Sequence, residues 1–182
     1  METKLLENYI VMRLVSLKTE KFIADFYKYN TDAKYELNLK RIADELTDYI
    51  CCKTSQKIYS KDGSWGMDAL RQLANYFVNT SENKRYLDYR YTRGILEHKF
   101  FMQMRIDYLS KNGYLRDCSY SQQAQRVYKM AESVHMLALK YILTGKQEIV
   151  VHIHSIINDI LSVENDYLPA VLCELQCGLE RL

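Results

Sequence analysis

Between Arg93 and Gly113 the chain reads R-G-I-L-E-H-K-F-F-M-Q-M-R-I-D-Y-L-S-K-N-G, and this stretch decides the fold. Ile95, Met102, Ile106 and Leu109 follow one another at steps of seven, four and three, which puts them on one side of a helix. Phe100, Phe101, Met104 and Tyr108 widen the apolar surface, so the helix is expected to be central and covered over most of its circumference. Asn112-Gly113 ends it, since both residues tolerate the left-handed conformation past the last turn. Nothing in the stretch is a catalytic motif.

Amphipathic segments lie on both sides. Upstream, Leu39, Ile42, Leu46, Tyr49 and Ile50 form a helical stripe. A turn at Lys61-Asp-Gly-Ser64 leads to a second stripe of Met67, Leu70, Leu73, Ala74 and Phe77, with Ser64 as its cap. Asn79 to Arg90 is polar and Tyr-rich, and reads as a loop. Downstream, Ser119 or Ser121 can cap a helix striped by Ala124, Val127, Tyr128, Ala131, Val134, Ala138 and Ile142, ended by Gly145. Ile149, Ile153, Ile156, Ile160, Val163 and Tyr167 mark the next. Pro169 then either kinks that helix or opens a last one with Leu168, Leu172, Leu175 and Leu179. Before residue 35, Tyr9 to Leu17 is either a short strand or the end of a helix begun at Leu5. Phe22, Ile23 and Phe26 suggest a helical turn or two, with Thr19 as N-cap. The expectation is an all-α, single-domain bundle of about six helices over residues 35–182, with residues 1–34 packing on it.

Composition agrees. The 182 residues form a one-domain length, and 6 Gly with 1 Pro leave few of the residues that punctuate β-rich folds. A net charge of +2 supports no global argument for nucleic acid or membrane. The 5 cysteines are an odd count that includes adjacent Cys51 and Cys52, and no signal peptide precedes them. Reduced thiols and a cytoplasmic location are expected. No apolar run reaches the ~20 residues of a membrane span.

Candidate chemistry is sparse. Glu132 and His135 are three apart on a helix and share a face, as in di-iron bundles. The second such pair is missing, because Glu148 and His152 are four apart, so no metal is expected. His152 and His154 diverge on a helix. Cys173 and Cys177 share a face without a second ligand pair and read as small buried thiols. There is no G-x-S-x-G, P-loop or G-x-G-x-x-G, and no cofactor is expected. Gly63-Ser-Trp-Gly66 reads as a tight helix start. The most distinctive local composition runs from Lys84 to Arg93, where Lys84, Arg85, Arg90 and Arg93 alternate with Tyr86, Tyr89 and Tyr91 against the single acid Asp88. Basic side chains among aromatics suit single-stranded nucleic acid or an acidic protein surface. A basic loop on a nearly neutral domain makes only a small field, however, which favours the plainer reading of a solvated loop whose tyrosines fold back over the core.

The order of these features resembles a known family. Asp62-Gly-Ser-Trp-Gly66-Met-Asp-Ala-Leu70-Arg-Gln-Leu73 is similar to a G-x-x-G-h-x-A-L-x-x-L helix start. Arg105-Ile-Asp-Tyr108-Leu109, the Ala124/Ala131/Ala138 helix, and Ile160-Leu-Ser-Val-Glu164 followed by Leu168 and Leu172 complete the likeness. Over about Tyr35 to Leu172 this resembles the C-terminal helical part of the butirosin biosynthesis protein H-like family. The resemblance implies a preceding papain-like domain whose Cys-His pair moves an acyl group from a carrier protein to an amine. Only about thirty-four residues precede the helical part here, and Cys51 and Cys52 match no nucleophile position. No catalytic residue is carried over.

The sequence therefore points to a non-catalytic helical accessory or binding module beside natural-product (peptide or aminoglycoside) assembly. Its expected partner is a carrier protein or another acidic protein, met by Lys84, Arg85, Arg90 and Arg93, and it can be an oligomer. Two alternatives stand beside this. One is a small helical-bundle enzyme using Glu132 and His135 with His98 or His152. The other is the ligand-binding domain of a regulator, although the first sixty residues show no helix-turn-helix.

Overall fold

The computed structural model describes residues 9–16, 22–28, 37–54, 63–82 and 87–180. The chain divides into two compact units, Met1–Leu37 and Asn38–Leu182. In the first, β1 (Tyr9–Ser16) and β2 (Phe22–Lys28) pair antiparallel, from Tyr9 opposite Lys28 to Ser16 opposite Phe22. One register shift falls between Val11 and Arg13, which inserts Met12 as a bulge. Of the two readings of Tyr9 to Leu17, the strand is the one observed. The helical turns expected around Phe22, Ile23 and Phe26 are instead strand. Aromatic and β-branched residues suit a pleated ribbon, and β1 offers the backbone partners a short helix would lack. Thr19 lies outside the described residues.

The second unit is all-α. Its elements are α1 (Leu39–Ile50), α2 (Gly66–Glu82), α3 (Arg90–Lys111), α4 (Ser119–Thr144) and α5 (Gln147–Leu179). Among the described residues there are five helices where about six are expected, because α5 runs unbroken through Pro169. Proline removes one N–H, so the carbonyl of Asn165 loses its partner within the helix. Pro169 is exposed, as is Asn165, while Leu168 and Val171 on either side are buried. Water can serve the orphaned carbonyl, and packing holds the helix together across the break.

The centre of the bundle is α5 rather than α3. It packs against α1, α2 and α4, while α3 packs chiefly on α4. Ile153, Ile157, Ile160, Leu161, Leu168, Val171 and Leu175 are all buried along it, a stripe wide enough to serve several neighbours. On α3, Ile95, Met102, Ile106 and Leu109 are buried as their spacing requires, but Phe100, Phe101, Met104 and Tyr108 are exposed. The expected cover over that second face is absent among the described residues. Between α3 and α5, Ala124, Ala131 and Ala138 are buried on α4, and their small side chains let the helices approach closely.

Helix ends follow the local chemistry. The Asn38 side chain accepts from Arg41 N at 2.8 Å. Asp88 accepts from Arg90 N at 3.0 Å and Asp117 from Ser119 N at 2.8 Å, so an aspartate two residues upstream does the work expected of Ser119 or Ser121. Gly113 and Gly145 both take positive φ and close α3 and α4 as expected. The stretch from Asn79 to Arg90 is shorter as a loop than it reads, because α2 continues to Glu82.

Candidate functional site

Two positions on apolar stripes carry charge. Lys99 falls between Ile95 and Met102 on α3, and Glu164 between Leu161 and Leu168 on α5. The helical period turns both side chains inward with their neighbours. They are 1% and 0% exposed and meet there. Lys99 Nζ donates to Glu164 Oε1 at 2.7 Å and to Oε2 at 2.8 Å. Tyr49, from the last turn of α1, donates its hydroxyl to Glu164 Oε2 at 2.7 Å and accepts from Lys99 Nζ at 2.5 Å. Three acceptor atoms surround the three ammonium hydrogens, so the lysine head is satisfied without water. Burial holds Lys99 below the ordinary lysine range, with the Glu164 charge opposing that shift. Burial, and then the Glu164 charge, push the Tyr49 phenol well above its ordinary value, which keeps it a neutral donor.

This network forms one wall of a cavity. Gly66 has φ +57°, and a Cβ there would lie 2.0 Å from the Tyr49 carbonyl oxygen. Only glycine permits α2 to start directly against the end of α1. The crossing brings Trp65 beside Tyr49. On the other side the His98 ring stacks on Tyr49, with centroids 5.1 Å apart. Between these elements lies a space of about 270 Å³, lined by Tyr49, Ser64, Trp65, Gly66, Ala69, Leu70, Leu73, Gly94, Ile95, His98 and Lys99. His98 keeps an open surface toward the cavity while protein crowds the rest of the ring. That crowding, followed by the Lys99 and Arg105 charges, lowers its pKa and holds the imidazole neutral. Across the Tyr49, Trp65, Gly66 and His98 partition is a more polar hollow that includes Glu45, Asp48, Lys53 and Arg105. The partition thus has a largely apolar hollow on one side and a more polar one on the other.

Gly94 is the conspicuous residue of the apolar end. It sits inside α3, where glycine costs about 1 kcal/mol relative to alanine. A Cβ on it would meet nothing within 4 Å. Neither backbone strain nor close packing requires a glycine there; its absent side chain simply leaves the cavity wide.

The residues singled out from sequence do not converge on this site. Lys84 and Arg85 lie outside the described residues. Arg90 and Arg93 are on the first turn of α3, not in a loop, and each has an internal acid. Arg90 pairs with Asp88 and Arg93 with Glu97, both at 2.5 Å. Glu132 and His135 point to different partners: Glu132 pairs with exposed Lys129 at 3.0 Å, while His135 Nδ1 lies 3.0 Å from the Thr92 hydroxyl. Burial and then Arg93 lower the His135 pKa. His152 is exposed. Cys173 and Cys177 are exposed rather than buried, since they fall on the side of α5 opposite Leu168, Val171 and Leu175. Among the described residues no group of three or more His, Cys, Asp or Glu side chains could hold a metal ion, and no helix is long and apolar enough to cross a membrane. Lys99 and Tyr49 were not among the sequence candidates. The signal that finds Lys99 is a charged residue on an apolar stripe, matched by Glu164 of opposite sign on another helix.

Comparison with known proteins returns no match: no family model fits the chain, and neither the curated proteins nor the solved structures include one significantly similar to it.

Proposed function

We propose that the helical unit is a non-catalytic binding module that takes a small, flat, largely apolar ligand in the cavity between the end of α1, the start of α2 and α3. The observation that carries this reading is the cavity itself: apolar walls, a fixed polar edge and an interior helical glycine that leaves it open. Ligand sites commonly combine apolar lining with a few oriented polar groups. At about 270 Å³, and open to solvent beside exposed Ser64, Gly94 and His98, the hollow has room for one or two rings. Trp65 and the Tyr49–His98 stack offer aromatic faces, and neutral His98 and the Ser64 hydroxyl offer hydrogen bonds at the edge. The network of Lys99, Glu164 and Tyr49 is internally satisfied, which suits a wall that orients a ligand better than a group that attacks one. A carrier protein docking on Arg90 and Arg93 ranks second, because Asp88 and Glu97 already offset those charges.

Titrating the full chain with indole while following its ¹⁵N amide spectrum tests the reading. Shifts are expected at Gly94, Ile95, His98 and Trp65, saturating in the micromolar to millimolar range. Gly94→Leu should place a side chain in the cavity and abolish those shifts. Its melting temperature should not fall, because leucine is the better helix former. Absence of a saturable response at these residues, or a response that survives Gly94→Leu, refutes it.

A further inference from the structure

From the exposed face of α3 we infer that the protein associates with a second copy of itself through an antiparallel α3–α3 contact centred on Met104. Phe101, Met104 and Tyr108 are spaced by three and four residues, so they form one stripe, and they are 63%, 52% and 51% exposed. Single exposed apolar residues are ordinary, but a continuous row of Phe, Met and Tyr is the composition of an interface core. Phe100 broadens one edge of the row and is held in place by Tyr128 of α4, with ring centroids 5.7 Å apart. The surface is therefore built on a packed helix rather than on a loose side chain.

Charge selects the occupant. Glu97 lies before Met104 and Lys111 after it, flanking the row, while half-buried Asp107 sits at its edge and accepts from Gln103 Nε2 at 3.5 Å. Glu97 and Lys111 are exposed, and each is seven residues, or about two turns and 10 Å, from Met104. An antiparallel copy with its two-fold axis at Met104 brings Glu97 of each chain to Lys111 of the other, twice over. The same superposition sets Phe101 and Tyr108 of one chain along Tyr108 and Phe101 of the other. The contact is isologous and closed, so it stops at two. A parallel copy would oppose like charges at both ends. Arg93 does not prevent the pairing, because the Glu97 carboxylate has two oxygens and can receive both cations. A crossing near 20° keeps the charged ends within reach of one another; the steeper 50° class would separate them.

Light scattering on the full chain at about 50 µM should give twice the 21.6 kDa chain mass. Met104→Glu should give one chain mass with an unchanged helical circular dichroism spectrum. Glu97→Lys or Lys111→Glu alone should raise the dissociation constant about five-fold or more, since each places like charges at both symmetric contacts. The double exchange, Glu97→Lys with Lys111→Glu, should return it close to the original. A protein that runs as one chain at this concentration overturns the inference, as does a dimer indifferent to Met104→Glu. Failure of the double exchange to restore the affinity overturns the antiparallel register. A row covered by the chain's own first 37 residues would appear as the one-chain result.

Discussion

At the scale of single residues, the Lys99–Glu164 pair bears on what buried charge contributes. Each member alone would be a charge enclosed in a core, and removing its partner typically costs about 3–5 kcal/mol. Replacing both with apolar residues of similar size removes the desolvation cost along with the attraction. Lys99→Met and Glu164→Leu should therefore each lower stability severely in urea unfolding, whereas the double variant should recover most of the loss. Equal and additive losses would mean that the two side chains act independently, against the geometry seen here. Tyr49 would lose both network partners in the double variant. Its hydroxyl would then be expected to turn toward the cavity, where water can reach it.

At the scale of elements, most boundaries were legible because each rests on local chemistry: stripe spacing gave the helices, and Gly113 and Gly145 gave two of the ends. The hairpin and the continuity of α5 were less legible. Short apolar runs such as Phe22–Lys28 fit two periods, and the effect of Pro169 depends on whether its open side faces water. The ranking of the helices could not be read at all. An aromatic row such as Phe101, Met104 and Tyr108 has the same spacing whether a neighbour covers it or not. The site was hidden for a related reason, since Lys99 lies 65 residues from Glu164 and Tyr49 lies 115 residues from it in sequence. Only the start of α2 carried a local mark, in Gly63-Ser-Trp-Gly66. Gly66→Ala tests that element: with φ +57° and the Tyr49 carbonyl in the way, alanine forces α2 off α1. Loss of several kcal/mol is expected in thermal unfolding, on the order of a severe core substitution. Gly94→Ala, in the same experiment, should stabilise.

For the molecule as a whole, the two depressed imidazoles predict an acid-sensitive fold. His98 and His135 bind protons less readily folded than unfolded, so the unfolded chain takes up more protons as pH falls below their ordinary value near 6.5. Their contribution is fully present above that pH and is lost progressively below it. Melting temperature should decline from pH 6.5 downward, and the slope should lessen in His98→Phe, which keeps a ring against Tyr49 but cannot titrate. An unchanged slope would assign the acid sensitivity to other groups. The position of α5 has a consequence of a different kind. The helix against which α1, α2 and α4 all pack is the last of the five to leave the ribosome. Until it emerges, the apolar sides of the earlier helices have no common surface to cover them. The packing of α1, α2 and α4 thereby waits on the synthesis of α5, and until those 33 residues arrive the nascent chain must stay soluble, by its own charge or in the hands of a chaperone.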